Sequence, residues 1–257
     1  MLEPVQYLLG GLSGVLVGFT LGLVGGGGSV LAVPLIVYLV GVKNPHLAIG
    51  TSAFAVAVNA ALGLGNHARA GNVNWRCGGA YASAGIIGAF AGSTLGKSMD
   101  GDRLLFLFAL VMLAVGALML RRKSNEPAEH VACVQENVPK VLGFGFLTGL
   151  FSGFFGIGGG FLIVPGLIAA TGMAMLHAVG TSLVAVTAFG LTTAANYAWA
   201  GLVDWGLAAA FIAGGFAGSW LGSKAAAKLS AHKGILNKLF AALIFAVAAY
   251  MLTRVSP

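Results

Sequence analysis

Ten long apolar stretches follow one another along this chain, at about 5–24, 29–42, 46–68, 74–96, 103–120, 140–155, 159–173, 176–200, 205–226 and 235–253, and charge is almost absent from them. A helix needs about 20 apolar residues to cross the hydrocarbon core of a bilayer. A soluble globule needs a charged skin, and about a quarter of its residues supply it. Here only 8% of 257 residues are charged and 58% are apolar, so 14 basic and 7 acidic side chains face more apolar mass than they can cover. The 41 glycines lie scattered through the apolar stretches with no three-residue period, which excludes a collagen-like chain. Mean hydropathy is +0.93. The chain reads as all-α, a polytopic helical membrane protein. Soluble enzyme, nucleic-acid binder and disordered chain are excluded.

The net charge of +7 belongs to the loops, where Lys and Arg lie between apolar stretches rather than along one face. The N-terminal Met1-Leu2-Glu3-Pro4 lacks a basic region, so the first stretch is expected to stay in the mature protein. One strongly polar segment, Arg121 to Lys140, divides the chain. The expected organisation is a first transmembrane repeat at 1–120, a cytoplasmic polar loop at 121–140 and a second repeat at 141–257.

The two halves resemble each other. Leu23-Val24-Gly25-Gly26-Gly27-Gly28-Ser29-Val30-Leu31-Ala32-Val33-Pro34 matches Phe154-Phe155-Gly156-Ile157-Gly158-Gly159-Gly160-Phe161-Leu162-Ile163-Val164-Pro165. Ala48-Ile49-Gly50-Thr51-Ser52 matches Ala178-Val179-Gly180-Thr181-Ser182. Asn66, Ala70-Gly71 and Asn74-Trp75 recur as Asn196, Ala200-Gly201 and Asp204-Trp205. Three blocks in one order predict an internal repeat, and two halves of five segments each lie inverted in the membrane.

Charge counting agrees with that arrangement. With the N-terminus outside and every stretch crossing, the inner side receives Arg69, Arg76, Arg121, Arg122, Lys123, Lys140, Lys224, Lys228, Lys233 and Lys238. The outer side receives only Lys43, Lys97, Arg103 and Arg254, as the positive-inside rule requires. A re-entrant hairpin made of the first two stretches of each half leaves the count unchanged, so either arrangement fits. The first two segments of each repeat are expected to be short and glycine-interrupted. Such segments, at matching places in two halves, are the best sequence pointer to a transport site.

Each glycine cluster opens a helix, where unpaired N–H groups and the macrodipole favour an anion. Gly26, Gly27, Gly28 and Ser29, with Gly158, Gly159 and Gly160, are therefore candidate substrate-binding residues. The competing reading gives the glycines only a tight turn or close helix packing. Thr51, Ser52, Thr181 and Ser182 can complete an anion's shell or bond their own backbone. Asn66 and Asn196 are repeat-matched and either flank the same cavity or serve structure.

No Asp or Glu sits deep within a stretch, which argues against a cation carrier or an acid-based proton relay. Proton coupling through His46, His67 or His177 stays open, although each lies close to a stretch end. Gly92-Ser93-Thr94-Leu95-Gly96-Lys97-Ser98 is one residue short of a phosphate loop and follows no strand. Gly88, Gly92 and Gly96, and Gly218 with Gly222, read as helix contacts.

The glycine clusters ending in proline, the Gly-Thr-Ser pairs, and Asn66-His67 leading to Ala70-Gly71 resemble the TauE/SafE family of membrane transporters. The similarity covers nearly the whole chain outside the central loop, and Gly158 to Pro165 carries it most strongly. The resemblance implies a secondary transporter, commonly an exporter, of small sulfur-containing anions such as sulfite or organosulfonates in the bacterial inner membrane. No enzyme activity, cofactor or metal is expected. The expected partners are the anionic substrate and the bilayer. A passive anion channel on the same scaffold is the alternative.

Overall fold

The computed structural model of the protein describes residues 3–121, 137–156, 160–229 and 235–254. Its helices follow the apolar stretches. They are α1 (Pro4–Val24), a broken segment of 3-10 turns (Gly25–Leu31), α2 (Ala32–Pro34) and a widened turn (Leu35–Leu39), α3 (Pro45–Arg69), α4 (Trp75–Ser98) and α5 (Gly101–Arg121). The chain continues with α6 (Val138–Phe155), α7 (Gly160–Thr171), α8 (Met175–Trp199), α9 (Trp205–Leu229) and α10 (Ile235–Arg254). Most of the expected polar loop, residues 122–136, lies outside the described residues.

Local chemistry sets the helix ends. Asn74 caps α4 by accepting from the Cys77 N–H at 3.1 Å, and its repeat counterpart Asp204 caps α9 by accepting from Leu207 N–H at 2.8 Å. Gly71 and Gly201, at φ +72° and +70°, take the left-handed turn that ends α3 and α8. Pro34 lacks an N–H, and beyond it the helix widens so that Val40 N–H donates to Leu35 O at 3.0 Å.

Among the described residues, five helices are long and apolar enough to cross a membrane, and they lie in α1, α3, α6, α8 and α9. The expected shortness of the first two segments is confined to the second of each pair. α1 has 21 residues and α6 has 18, because no helix breaker interrupts them before the glycines. By contrast α7 has 12 residues, about 18 Å of helix.

The halves interlock. α1 packs along α9 and α4 packs along α6, each pair running parallel, while α3 crosses α8 at the centre and α5 meets α10. Glycines make the closest approaches possible. Cβ atoms added at Gly14 and Gly18 would strike Phe211 and Gly215 of α9, and at Gly218 and Gly222 they would strike Val15 and Phe19 of α1. The other pair uses Gly88 and Gly92 against Phe146 and Leu150, and Gly149 and Gly153 against Gly85 and Ala89. The helix-contact reading of Gly88, Gly92, Gly218 and Gly222 therefore describes their place in the fold, since small residues let backbones pack without a hydrophobic driving force. Leu8, Leu12 and Leu16 on α1, and Ile87 and Phe90 on α4, are exposed and face outward as a lipid surface would.

Candidate functional site

The Gly-Thr pairs join the two halves. Thr51 Oγ1 accepts from the Asp204 N–H at 3.0 Å, and Thr181 Oγ1 accepts from the Asn74 N–H at 3.0 Å. The preceding glycines admit those loops, since a Cβ on Gly50 would strike Leu202 O and one on Gly180 would strike Asn72 O. Each half thus clasps the turn before a long helix of the other. The third Gly-Thr-Ser residues differ from each other. Ser182 Oγ donates to Val179 O at 2.7 Å within its own helix, whereas Ser52 Oγ donates to Ile49 O at 2.9 Å and reaches Gly156 O at 3.3 Å.

The first glycine cluster forms the 3-10 turns that carry Gly26, Gly27, Gly28 and Ser29. Gly28 and Ser29 are buried. Gly28 lies against α1, where an added Cβ would come within 2.6 Å of Thr20. The same turns also touch α7 inside the bundle. Of the second cluster, Gly160 is buried at the first position of α7, and Gly158 and Gly159 lie outside the described residues.

Polar groups gather where α6 ends. Gly156 closes α6 at φ +65° and presses on Ile49 of α3. One residue along α3, Gly50 packs on Tyr197 of α8, whose ring lies 5.8 Å beneath the Lys97 ammonium. Lys97 Nζ donates to Asn196 Oδ1 at 2.7 Å and to Asn196 O at 2.9 Å. The Asn196 amide in turn donates to Ser93 Oγ at 2.6 Å and Thr94 Oγ1 at 3.0 Å. His46 Nε2 sits 3.1 Å from Met99 O, and its ring lies near that of Tyr197. All the partners the structure gives Lys97 are neutral. A cleft of about 420 Å³ lined by Leu95, Ser98, Met99, Asp100, Arg103 and Phe154 opens beside this cluster. Another of about 420 Å³ lies elsewhere, between the first broken segment, α5 and α10.

The structure therefore brings Ser52 and Asn196 to the end of α6 and keeps other candidates apart from it. Asn66 is exposed at the far end of α3. Thr51 and Thr181 spend their acceptor on backbone amides. Lys97 and Tyr197 escaped the sequence reading. Lys97 had the look of a loop charge after a failed phosphate-loop pattern, and a lone tyrosine in an apolar helix gives no signal. The available signal was adjacency, since Tyr197 follows the repeat-matched Asn196.

Comparison with known proteins agrees with this architecture. The family model described as Sulfite exporter TauE/SafE matches residues 10–251. A probable membrane transporter protein of Xylella fastidiosa (strain Temecula1) is 54% identical over 243 residues, covering 94% of this chain and 93% of that protein. The probable membrane transporter protein YdhB of Bacillus subtilis (strain 168) is 28% identical over 211 residues, covering 81% and 86%. No solved structure matches. A helical bundle built for the bilayer, a glycine-broken segment packed on α7, and a family match spanning nearly every helix lead to one conclusion: the chain belongs to the TauE/SafE family and is a multi-pass membrane transporter protein.

Proposed function

We propose that the protein is a secondary active transporter, working as an exporter of small sulfur-containing anions such as sulfite or organosulfonates. Transport proceeds by alternating access between two inverted halves. The observation that carries this reading is the Lys97 ammonium, held on neutral partners at the helix break where α6 gives way to α7. Lys97 is half-buried near the end of α4 with no carboxylate among its hydrogen-bond partners in the described residues, and an anionic substrate supplies the countercharge. The mirrored pairings of α1 with α9 and α4 with α6 support the two-halves description.

In this reading Gly158, Gly159 and Gly160 contribute to the anion's site in the second half, together with Ser52 and Asn196. Gly26, Gly27, Gly28 and Ser29 form the corresponding part of the first half, with Ser182 and Asn66. Thr51 and Thr181 hold the walls through the opposite half's backbone. The cytoplasmic loop lies at 121–140 between the repeats, in a bacterial inner membrane, and a proton gradient or the membrane potential drives the cycle.

The test is a panel of anions offered to purified protein in liposomes: sulfite, a short alkanesulfonate, sulfate and chloride. Saturable sulfite or sulfonate flux, weakened several-fold by Lys97→Gln, is expected. Equal permeation of all four anions, unchanged by that substitution, points to the passive channel instead.

A further inference from the structure

The second half contains a column of buried hydroxyls that its counterpart in the first half lacks. We infer that this column, on α6 and α8 beneath Lys97, is the oxyanion's binding path, so that the two halves contribute unequally. The inference rests on the transporter reading above and names where its substrate binds.

Three levels define the column. At the deepest, Thr148 of α6 and Tyr81 of α4 share a hydrogen bond of 2.8 Å, and the Tyr81 ring stacks on Phe189 of α8 with centroids 6.3 Å apart. At the outermost, Gly156 ends α6 where Ile49 and Gly50 of α3 tie it to Tyr197 of α8. α6 runs from Thr148 to Gly156 as α8 runs from Phe189 to Tyr197, so one turn above the first level stand Ser152 and Thr193. Helical periodicity places these two residues on the faces that carry the levels above and below.

Their chemistry is unusual for a membrane helix. A serine or threonine in a membrane helix ordinarily donates to a carbonyl three or four residues back, as the half-buried Thr187 and Thr192 do on α8 at 2.8 Å each and the buried Thr171 does to Leu167 O at 2.7 Å. Ser152 and Thr193 are buried with at most 1% exposure, and neither hydroxyl has a partner among the described residues. The fully buried Tyr197 hydroxyl is likewise unpartnered. Unused buried donors are rare because each costs its hydration without return. Three in sequence beneath an ammonium match an acceptor-only guest with several oxygens, which is what a sulfur oxyanion is.

The counterpart positions in the first half are different. The repeat register sets Val17 opposite Thr148, Leu21 opposite Ser152 and Gly63 opposite Thr193, and on the partner helices Phe211 of the second half opposite Tyr81 of the first. Tyr197 corresponds to His67 and Phe189 to Asn59, so polar groups there are an amide and an imidazole rather than a file of hydroxyls. At these levels the first half offers the buried Asn59 amide, whose Nδ2 and Oδ1 have no partner among the described residues, and the His67 imidazole, where the second half offers hydroxyls.

The test uses full-length protein in liposomes with labelled sulfite as the probe, measuring half-saturation and sulfite-induced thermal stabilisation. Each of Thr193→Val and Tyr197→Phe removes a hydroxyl at nearly constant shape. Losing one donor to an anion should raise half-saturation about ten-fold or more. Thr193→Ser keeps the donor, and Thr187→Val removes a hydroxyl already bonded to its own helix, so both should stay within about two-fold of wild type. Melts without sulfite establish that each variant is folded, and Tyr197→Phe serves alone if Thr193→Val does not assemble. Wild-type transport with half-saturation unchanged in the hydroxyl variants overturns the column and leaves the transporter reading standing. If wild type neither moves sulfite nor is stabilised by it, both fall.

Discussion

Replacing Gly92 by alanine puts the interlocking of the halves to a direct test. A Cβ at Gly92 would strike Leu150 O and come within 2.9 Å of both Leu150 C and Phe154 N. These are backbone atoms of α6, so no rotamer change relieves the clash and the two helices must part. Overpacking of this kind costs about 1–3 kcal/mol, while alanine gains up to ~1 kcal/mol over glycine in a helix. The net expectation is a loss of ~1–2 kcal/mol. Gly79 on α4 and Gly143 on α6 provide internal controls, since an added Cβ at either has no atom within 4 Å. Alanine there should be neutral or stabilising by up to ~1 kcal/mol. Equilibrium unfolding in detergent micelles, followed by circular dichroism, compares the three. A Gly92→Ala variant as stable as wild type, or Gly79→Ala falling as far, refutes the close-packed α4–α6 contact.

Three further outcomes follow from the same geometry. Thr51→Val and Thr181→Val each leave a backbone N–H, of Asp204 or Asn74, without its acceptor. Each should cost ~1–3 kcal/mol of stability, and their effects should add because they lie at opposite ends of the bundle; chemical unfolding of the single and double variants checks both points. Gly156→Ala combines a left-handed backbone at φ +65° with a clash against Ile49, so it should melt well below Gly201→Ala, which has similar φ and open space around it. A cysteine at Ser124 should be labelled by an impermeant reagent only from the cytoplasmic side, and labelling only from the periplasm overturns the orientation.

The ten segments were legible because hydropathy and glycine placement dominate at this composition. α3 and α8 begin and end within a residue of the apolar stretches 46–68 and 176–200. The broken second segments were legible for the same reason, since glycines followed by a proline cannot make a long helix. The roles of single hydroxyls were not. Thr51 and Asp204 are 153 residues apart, and only the packing of α3 on α9 brings them to 3.0 Å. The repeat did hold a trace of this clasp, because Gly-Thr and Asn-Trp or Asp-Trp recur as matched blocks. Lys97 was legible as a charge but not as an inward one, since its direction depends on Asn196, 99 residues away. Ser152 and Thr193 carry no motif at all; what distinguishes them is a bond they do not make.

The central claim is that this protein moves a sulfur oxyanion uphill. The most direct measurement is accumulation of labelled sulfite in proteoliposomes at equal initial concentrations inside and outside, under an imposed pH gradient or membrane potential. The account predicts accumulation beyond the level at which sulfite reaches its own electrochemical equilibrium, collapsing when an ionophore removes the gradient. It also predicts that Lys97→Gln and Tyr197→Phe blunt this accumulation in folded protein. Sulfite that merely equilibrates, following its own electrochemical gradient and indifferent to both substitutions, contradicts the account.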